Sequence, residues 1–552
     1  MLSRQVNPDD LVNKEIRRIR ASIATARQHS SHSLRASTPY ISRYTAVDPV
    51  PKYSLPSTGL DAKATYQLIR DDLDLDGRPN LNLASFVGTY IESESLQLSI
   101  ENITKNLADS DEYPALIDIH SRCISILAHL WHASPDEKPI GSATTGSSEA
   151  IHLAGLAMKR RWVERRRAEG KDTSNPNIIM GANAQVALEK FARYFDVEAR
   201  LIPVSDVSFH CLDPALVLDH VDENTIGIFV ILGSTYTGHY EPVQQVSDLL
   251  DDLQVRTGID VPIHVDAASG GFVAPFCHPH TVWDFRLPRV KSINTSGHKY
   301  GLVTAGLGWI IYRSEDYLPK HLIFELKYLG GVEQTFTLNF SRPGFTVIQQ
   351  YFNFLHLGRE GYTAIQQDSL ANARLLSKTL EASGYFLCLS EIHRKKGIRT
   401  FIPGDEFISV DSEDYNAGLP VVSFRLADSF KETYPHVKQA AISTLLRVKG
   451  FIVPNYELPP NEATVEILRI VVRESMTEDL LQRLVEHIVL ITESLMQADD
   501  IDMSALTSPL QQIPSIARRI SSLGAVSADT SQSDLSLTPK LVHKHGHYKG
   551  VC

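Results

Sequence analysis

The chain has 552 residues, 43% of them hydrophobic and 22% charged, with 31 Gly, 28 Pro and a net charge of -11. That balance excludes collagen-like, coiled-coil and largely disordered classes, and it lacks the bulk basic excess of a nucleic-acid binder. Its 5 cysteines, Cys123, Cys211, Cys277, Cys388 and Cys552, include no C-x-x-C pair, which argues against a disulfide framework or a zinc module.

The length allows roughly three to four domains, or one large α/β body with additions. No apolar run approaches the ~18 residues of a membrane span; Ile226–Gly233 is about the longest. The start is rich in Arg and Ser, but Asp9, Asp10 and Glu15 count against a transit peptide. The expectation is a reducing, cytoplasmic compartment, with no nucleic-acid, membrane or metal partner.

In chain order, residues 1–55 read as an arm, with a short basic amphipathic helix over Ile16–Arg27 that serves as a solvated extension or a subunit contact. Residues 115–354 alternate helices with short apolar strands. The strands are predicted at Asn177–Met180, Leu201–Val204, Ile226–Gly233, Pro262–Val265, Val290–Asn294 and Leu307–Tyr312, with helices at Ser147–Arg167 and Val186–Phe195. Such alternation implies a largely parallel sheet with function at the carboxyl ends of its strands.

Residues 355–497 read as a smaller α+β domain. Its predicted elements are helix Gly361–Ser383, strand Val421–Leu426, helix His436–Val448, strands Phe451–Val453 and Thr464–Val472, and helix Thr477–Met496. The polar stretch 391–418 looks like a surface insertion. Residues 498–552 form a tail rich in Ser, Thr, Leu and His, flexible or regulatory.

Three features carry chemistry. Ser296-Gly297-His298-Lys299 follows an apolar strand, and a lysine among small residues can desolvate and become a nucleophile. Asp266 ends another strand and opens Asp266-Ala267-Ala268-Ser269-Gly270-Gly271. A carboxylate there, followed by small residues, suits the ring nitrogen of pyridoxal phosphate, which a lysine would hold as a Schiff base. Thr145-Gly146-Ser147-Ser148-Glu149-Ala150 opens a helix, and hydroxyls with free amides at a helix start hold a phosphate. Taken singly, Lys299 also reads as a surface charge, Asp266 as a helix cap, and Ser-x-Glu as an ordinary cap.

Longer stretches extend the pattern: Leu81–Phe86, Gly181–Gln185, His264–Phe272, Trp283–Pro288, Ser296–Tyr300 and Asn339–Pro343. Over about residues 52–497 the chain resembles the glutamate decarboxylases, pyridoxal-phosphate enzymes of fold type I, in their bacterial, plant and fungal branch. The resemblance implies an α/β fold with a large mostly parallel-sheet domain, a smaller C-terminal α+β domain and an N-terminal arm. It makes residues 56–114 a segment contributing to the active site.

By position, the resemblance makes Lys299 the Schiff-base lysine and Asp266 the ring-nitrogen partner. Ser147, Ser148, Ser296 and His298 would hold the phosphate, joined by Ser341 from a neighbouring subunit. Gln185 and Ala268 would flank the ring, and Thr235 would make a polar contact beside it. Arg469 would pair with the substrate α-carboxylate, and Ser85, Phe86 and Asp109 would surround the distal carboxylate. Ser85 stands where the family carries Thr, so pocket packing departs from the pattern there. Tyr328, before Gly330 and Gly331, would donate a proton from a closing loop.

The implied reaction turns glutamate into 4-aminobutanoate and CO2. The implied assembly is a homo-oligomer with the dimer as minimal active unit, a hexamer being left open. Decarboxylation of aspartate or cysteine sulfinate, and a regulatory protein that kept the fold without activity, stay open as alternatives. In the tail, His543, His545 and His547 suggest a pH-released plug, a metal site or a solvated end. No Trp-anchored basic helix is present there, which argues against calmodulin as a partner.

Overall fold

The computed structural model describes residues 54–326, 333–399 and 407–498, together with 17 and 18. The predicted arm helix falls almost wholly outside these residues. Tyr328, the middle of the 391–418 insertion and the His-rich tail also lie outside them. Helix α1 (Ala62–Leu73) belongs to a unit of its own with residues up to 77. Its N-cap is Asp61, whose carboxylate accepts from the Lys63 and Ala64 amides. The second unit begins at Arg78.

That unit opens with α2 (Ser93–Glu101) and α3 (Pro114–Leu130) and then builds a seven-stranded sheet. The strands are β1 (Ile140–Thr144), β2 (Asn177–Gly181), β3 (Glu198–Ile202), β4 (Thr225–Ile231), β5 (Ile263–Asp266), β6 (Val290–Thr295) and β7 (Gly308–Tyr312). Their order is β1-β7-β6-β5-β4-β2-β3. β3, β2, β4, β5 and β6 run parallel, and β7 runs antiparallel to both of its neighbours. Helices α4 (Ser147–Ala168), α5 (Val186–Tyr194) and α6 (Val243–Thr257) interleave with them.

β2, β4 and β5 are buried along their whole length, which is why they read as continuous apolar runs. β3 starts earlier than predicted, at Glu198, because an edge strand keeps a polar, exposed face that lacks the apolar signal. β1 escaped prediction for a different reason. Gly141 lies so close to β7 that an added Cβ would stand 2.3 Å from the Ile310 carbonyl oxygen. Close packing, rather than β propensity, selects its small residues.

A short antiparallel pair, β8 (Phe324–Leu326) and β9 (Glu333–Thr335), leads to the long α7 (Phe345–Ala382). Gly358, at φ 58° and ψ -166°, breaks α7 in two, and the predicted helix Gly361–Ser383 covers only its second part. A four-stranded antiparallel sheet follows, in the order β10-β11-β13-β12. It comprises β10 (Phe386–Cys388), β11 (Val421–Leu426), β12 (Asn455–Glu457) and β13 (Glu466–Val471). The predicted strand at Phe451–Val453 reduces to one bridge, Ile452 to Asn82. Helices α8 (Gln439–Val448) and α9 (Glu478–Gln497) cover this sheet through Ile442, Leu446, Leu484 and Ile488.

The expectation that 391–418 is a surface loop needs correction at its two flanks. Ile392, Arg394 and Ser412 are buried. Glu381 of α7 accepts from Arg394 Nη2 at 2.6 Å and bonds His393 Nε2 at 2.8 Å, while His393 Nδ1 bonds Ser377 Oγ at 2.7 Å. The charges of His393 and Arg394 therefore pair inward with Glu381, while Lys395, Lys396, Ile408 and Val410 stay exposed. Cys123, Cys211, Cys277 and Cys388 are all free and buried. No helix among the described residues is long and apolar enough to cross a membrane.

Candidate active site

Parallel strands point their carboxyl ends one way, so the loops that leave them gather. Ser147 follows β1, Gln185 follows β2, Thr235 follows β4, Asp266 ends β5, and Lys299 follows β6. All five line one cavity of about 280 Å³. Ser148, Ala268, Ser296 and His298 line it too.

At one end the Ser147 and Ser296 hydroxyls share a hydrogen bond of 2.7 Å beside the free amides of the α4 start. Gly308 lets this loop approach β7, since a Cβ there would stand 2.4 Å from the Gly146 backbone. The Leu307 amide donates to His298 Nδ1 at 3.2 Å. Burial, with Lys299 adding to it, lowers the His298 pKa to about 4. The ring is therefore neutral, with its proton on Nε2 as a donor. Glu149, which the sequence read as a plain cap, holds more than its own helix. Its Oε2 accepts from the Thr145 amide at 2.8 Å and the Thr145 hydroxyl at 2.9 Å, and its Oε1 accepts from the Asn339 amide at 3.0 Å.

The other end is organised by Asp266. Its Oδ1 accepts from Asn294 Nδ2 at 2.9 Å and from the Ala268 amide at 3.1 Å; Oδ2 takes neither bond. Behind Asn294 stand His264, whose Nε2 lies 2.7 Å from Asn294 Oδ1, and Ser292, 2.8 Å from His264 Nδ1. Burial lowers the His264 pKa to about 4, so the ring is neutral. Because the Asn294 amide donates to Asp266, its oxygen faces His264, and Nε2 carries the ring proton. Nδ1 then accepts from Ser292. The bonds from Ser292 through His264 and Asn294 all donate toward Asp266, which favours its carboxylate form against the burial that raises its pKa.

Sequence reasoning missed this chain, although a signal existed. His264 and Asp266 alternate on β5, Ser292 and Asn294 alternate on β6, and the register pairs them across the ladder. Polar residues at period two on buried strands mark one polar stripe inside an apolar sheet.

Lys299 Nζ donates to Ser269 Oγ at 3.3 Å. Burial lowers its pKa; Asp266 opposes that shift and Arg469 adds to it. A depressed amine is a better nucleophile near neutral pH. Lys299 Nζ and Arg469 Cζ each lie 5.2 Å from the centre of the Phe86 ring. Arg469, on β13, donates from Nη1 to the Thr235 carbonyl at 2.9 Å and from Nη2 to the Ala84 carbonyl, while its buried Nε has no partner. No carboxylate pairs with it among the described residues.

Ser85 accepts from the Val87 amide at 3.0 Å. Four residues beyond Arg469, Arg473 donates to the carbonyls of Pro79, Asn82, Val87 and Gly88, which fixes the segment that carries Ser85 and Phe86. Asp109 and Ser341 do not line the Lys299 cavity. Asn106 Nδ2 ties them together, donating to Asp109 Oδ1 at 3.0 Å and to Ser341 Oγ at 3.3 Å.

An amine of lowered pKa, a buried carboxylate that accepts from Asn294 and a hydroxyl-and-amide cradle define a site for a phosphorylated aldehyde cofactor with a basic ring nitrogen. The free oxygen of Asp266 and the donors around Ser147 fit pyridoxal phosphate at its two ends. A family model described as the pyridoxal-dependent decarboxylase conserved domain matches residues 85–396. Glutamate decarboxylase of Saccharomyces cerevisiae is 52% identical over 466 residues, 81% of this chain and 80% of that one. Glutamate decarboxylase of Solanum lycopersicum is 45% identical over 473 residues, covering 85% and 88%. The solved structure of Lactobacillus brevis glutamate decarboxylase superposes with a TM-score of 0.74 at 39% identity, covering 82% of this chain and 97% of that one. The chain belongs to the pyridoxal-dependent decarboxylases and, within them, to the glutamate decarboxylase family.

Proposed function

We infer that this protein decarboxylates L-glutamate to 4-aminobutanoate and CO2 with pyridoxal phosphate as cofactor. One observation carries the reading: a buried arginine with no acidic partner among the described residues, Arg469, lies 5.2 Å from the centre of the same Phe86 ring that the Lys299 amine approaches to 5.2 Å. An amino acid needs that pair, a cation for its carboxylate beside the amine that it displaces. Identity of 52% and 45% to glutamate decarboxylases supports glutamate over a shorter acid.

When bound, pyridoxal phosphate supplies an aldehyde carbon that links to an amine and a protonated ring that takes up the electron pair left by CO2. Lys299, whose pKa burial lowers, would hold the cofactor through its amine. Asp266, whose carboxylate form the Asn294 amide favours against burial, would hold a proton on the ring nitrogen. Arg469 would grip the α-carboxylate of the substrate and so orient the bond to be broken. Ser147, Ser148, Ser296 and His298 hold the phosphate. Gln185, Ala268 and Thr235, which line the same cavity, would contact the ring. The proton that returns to Cα needs a donor, and the sequence offers Tyr328.

Ser85, Phe86 and Asp109 frame the distal carboxylate in this reading. The pairing of Asp109 with Ser341 through Asn106, off the chain's own cavity, supports a dimer in which this patch completes the partner's site. Mixed oligomers test it. Co-expressed Lys299→Ala and Asp109→Asn chains recover activity if Asp109 serves the partner's site, and recover none if it serves its own. The function itself is tested by CO2 release from glutamate, aspartate and cysteine sulfinate in parallel, with glutamate expected to dominate. Faster turnover of aspartate or cysteine sulfinate refutes the assignment.

A further inference from the structure

A second cavity, of about 90 Å³, lies at the amino ends of β4, β5 and β6, at the opposite end of these strands from Lys299. α4 contributes Arg161 and Arg165 to its wall, β6 contributes Lys291, and Asp260 is the one acidic residue lining it among the described residues. That carboxylate is already shared: its Oδ1 accepts from Arg289 Nη1 at 3.0 Å, and its Oδ2 stands 3.7 Å from Arg165.

Arg161 and Lys291 both lie against the Tyr317 ring, 4.3 and 4.7 Å from its centre. Lys291 Nζ donates to the Pro288 carbonyl at 2.6 Å. Arg161, half-buried, lies against that ring and has no hydrogen bond or ion pair among the described residues, although the charges of Asp260 and Asp316 act on it. A guanidinium carries five N–H donors in a planar fork that matches oxyanion lone pairs. Like charges gathered at a concave site, with one shared carboxylate between them, raise the local potential for anions. The cavity's size limits the occupant to a group about as large as phosphate or a single carboxylate.

We propose that this cavity binds a small oxyanion, a phosphate or the carboxylate end of a small acid, held by the Arg161 fork with Lys291 and Arg165 supplying charge. Ser292, which starts the hydrogen-bond chain to Asp266, also lines it, so the site adjoins the cofactor machinery from behind.

Calorimetric titration of the cofactor-loaded enzyme with inorganic phosphate, at an ionic strength held constant with chloride, tests the proposal. Saturable binding of one phosphate per chain is expected. Arg161→Gln and Lys291→Gln should each weaken it at least tenfold, leaving kcat/KM for glutamate unchanged. Arg469→Gln, which alters the substrate site, should bind phosphate as the parent does. An acetate arm separates the sources: acetate binding with the same dependence on Arg161 supports a carboxylate ligand, and phosphate binding alone supports a phosphate. No saturable binding of either anion, or parental affinity in both cavity variants, overturns the proposal.

Discussion

Arg469 offers the sharpest test of the active site, because its guanidinium meets backbone carbonyls and the Phe86 and Tyr456 side chains and pairs with no carboxylate among the described residues. Arg469→Gln removes the charge and the fork facing the substrate carboxylate. Loss of one partner of a desolvated, hydrogen-bonded charge pair costs about 2–5 kcal/mol, or roughly 30- to 4,000-fold in kcat/KM. Arg469→Lys keeps the charge and loses the two-point grip, so its loss should be smaller, about 10- to 100-fold. A second signature is independent of substrate. Arg469 helps to hold the Lys299 pKa down, so the glutamine variant should capture pyridoxal phosphate with a pH profile moved upward, and the lysine variant should not. Steady-state kinetics, with the borohydride-sensitive absorbance as a check on cofactor content, read both effects. A glutamine variant within about threefold of the parent kcat/KM, with an unmoved capture profile, would refute the assigned role.

The remaining expectations are as definite. Burial raises the Glu241 pKa from 4.5 to about 7. Its contribution to stability is therefore fully present below 4.5 and is lost as pH rises to about 7, by about 3 kcal/mol at 1.36 kcal/mol per unit. Denaturant unfolding across pH 4.5–7.5 should show a flatter slope in Glu241→Gln, and parallel curves would count against the shift. Gly308→Ala should push the Gly146–Ser147 loop and weaken pyridoxal phosphate binding at least tenfold, about 1.4 kcal/mol, in equilibrium dialysis; unchanged affinity would mean that the loop gives way freely. His264→Phe breaks the donor chain behind Asp266. At about 1–1.5 kcal/mol for one hydrogen bond, kcat should fall about tenfold with KM nearly constant, and a change confined to KM would reject the positioning role.

Much of the site was legible in the sequence because the parallel sheet puts chemistry where strands end. Lys299, Asp266 and Ser147 each follow a short apolar run and open a stretch of small residues, a local signal that needs no partner to be seen. The polarity of 391–418 misled for the opposite reason. Whether Glu381, His393 and Arg394 face water or one another is a fact about distant chain segments, and composition is blind to it. β1 was invisible because its residues were chosen by the approach of β7, which sequence periodicity does not report.

By itself, then, the sequence determined the α/β class, the alternation of strands and helices that carries the candidate site, and which residue types stand where those strands end. Tertiary structure alone decided what surrounds those groups. It fixed the direction of the Ser292–His264–Asn294 chain, the absence of an acid beside Arg469 among the described residues, the pairing of Asp109 with Ser341 through Asn106 and the cationic cavity at the amino ends of the strands. The physical reason is distance along the chain. Periodicity and capping act over a few residues, whereas hydrogen-bond direction, burial and the pKa shifts they cause come from atoms brought together across tens or hundreds of residues.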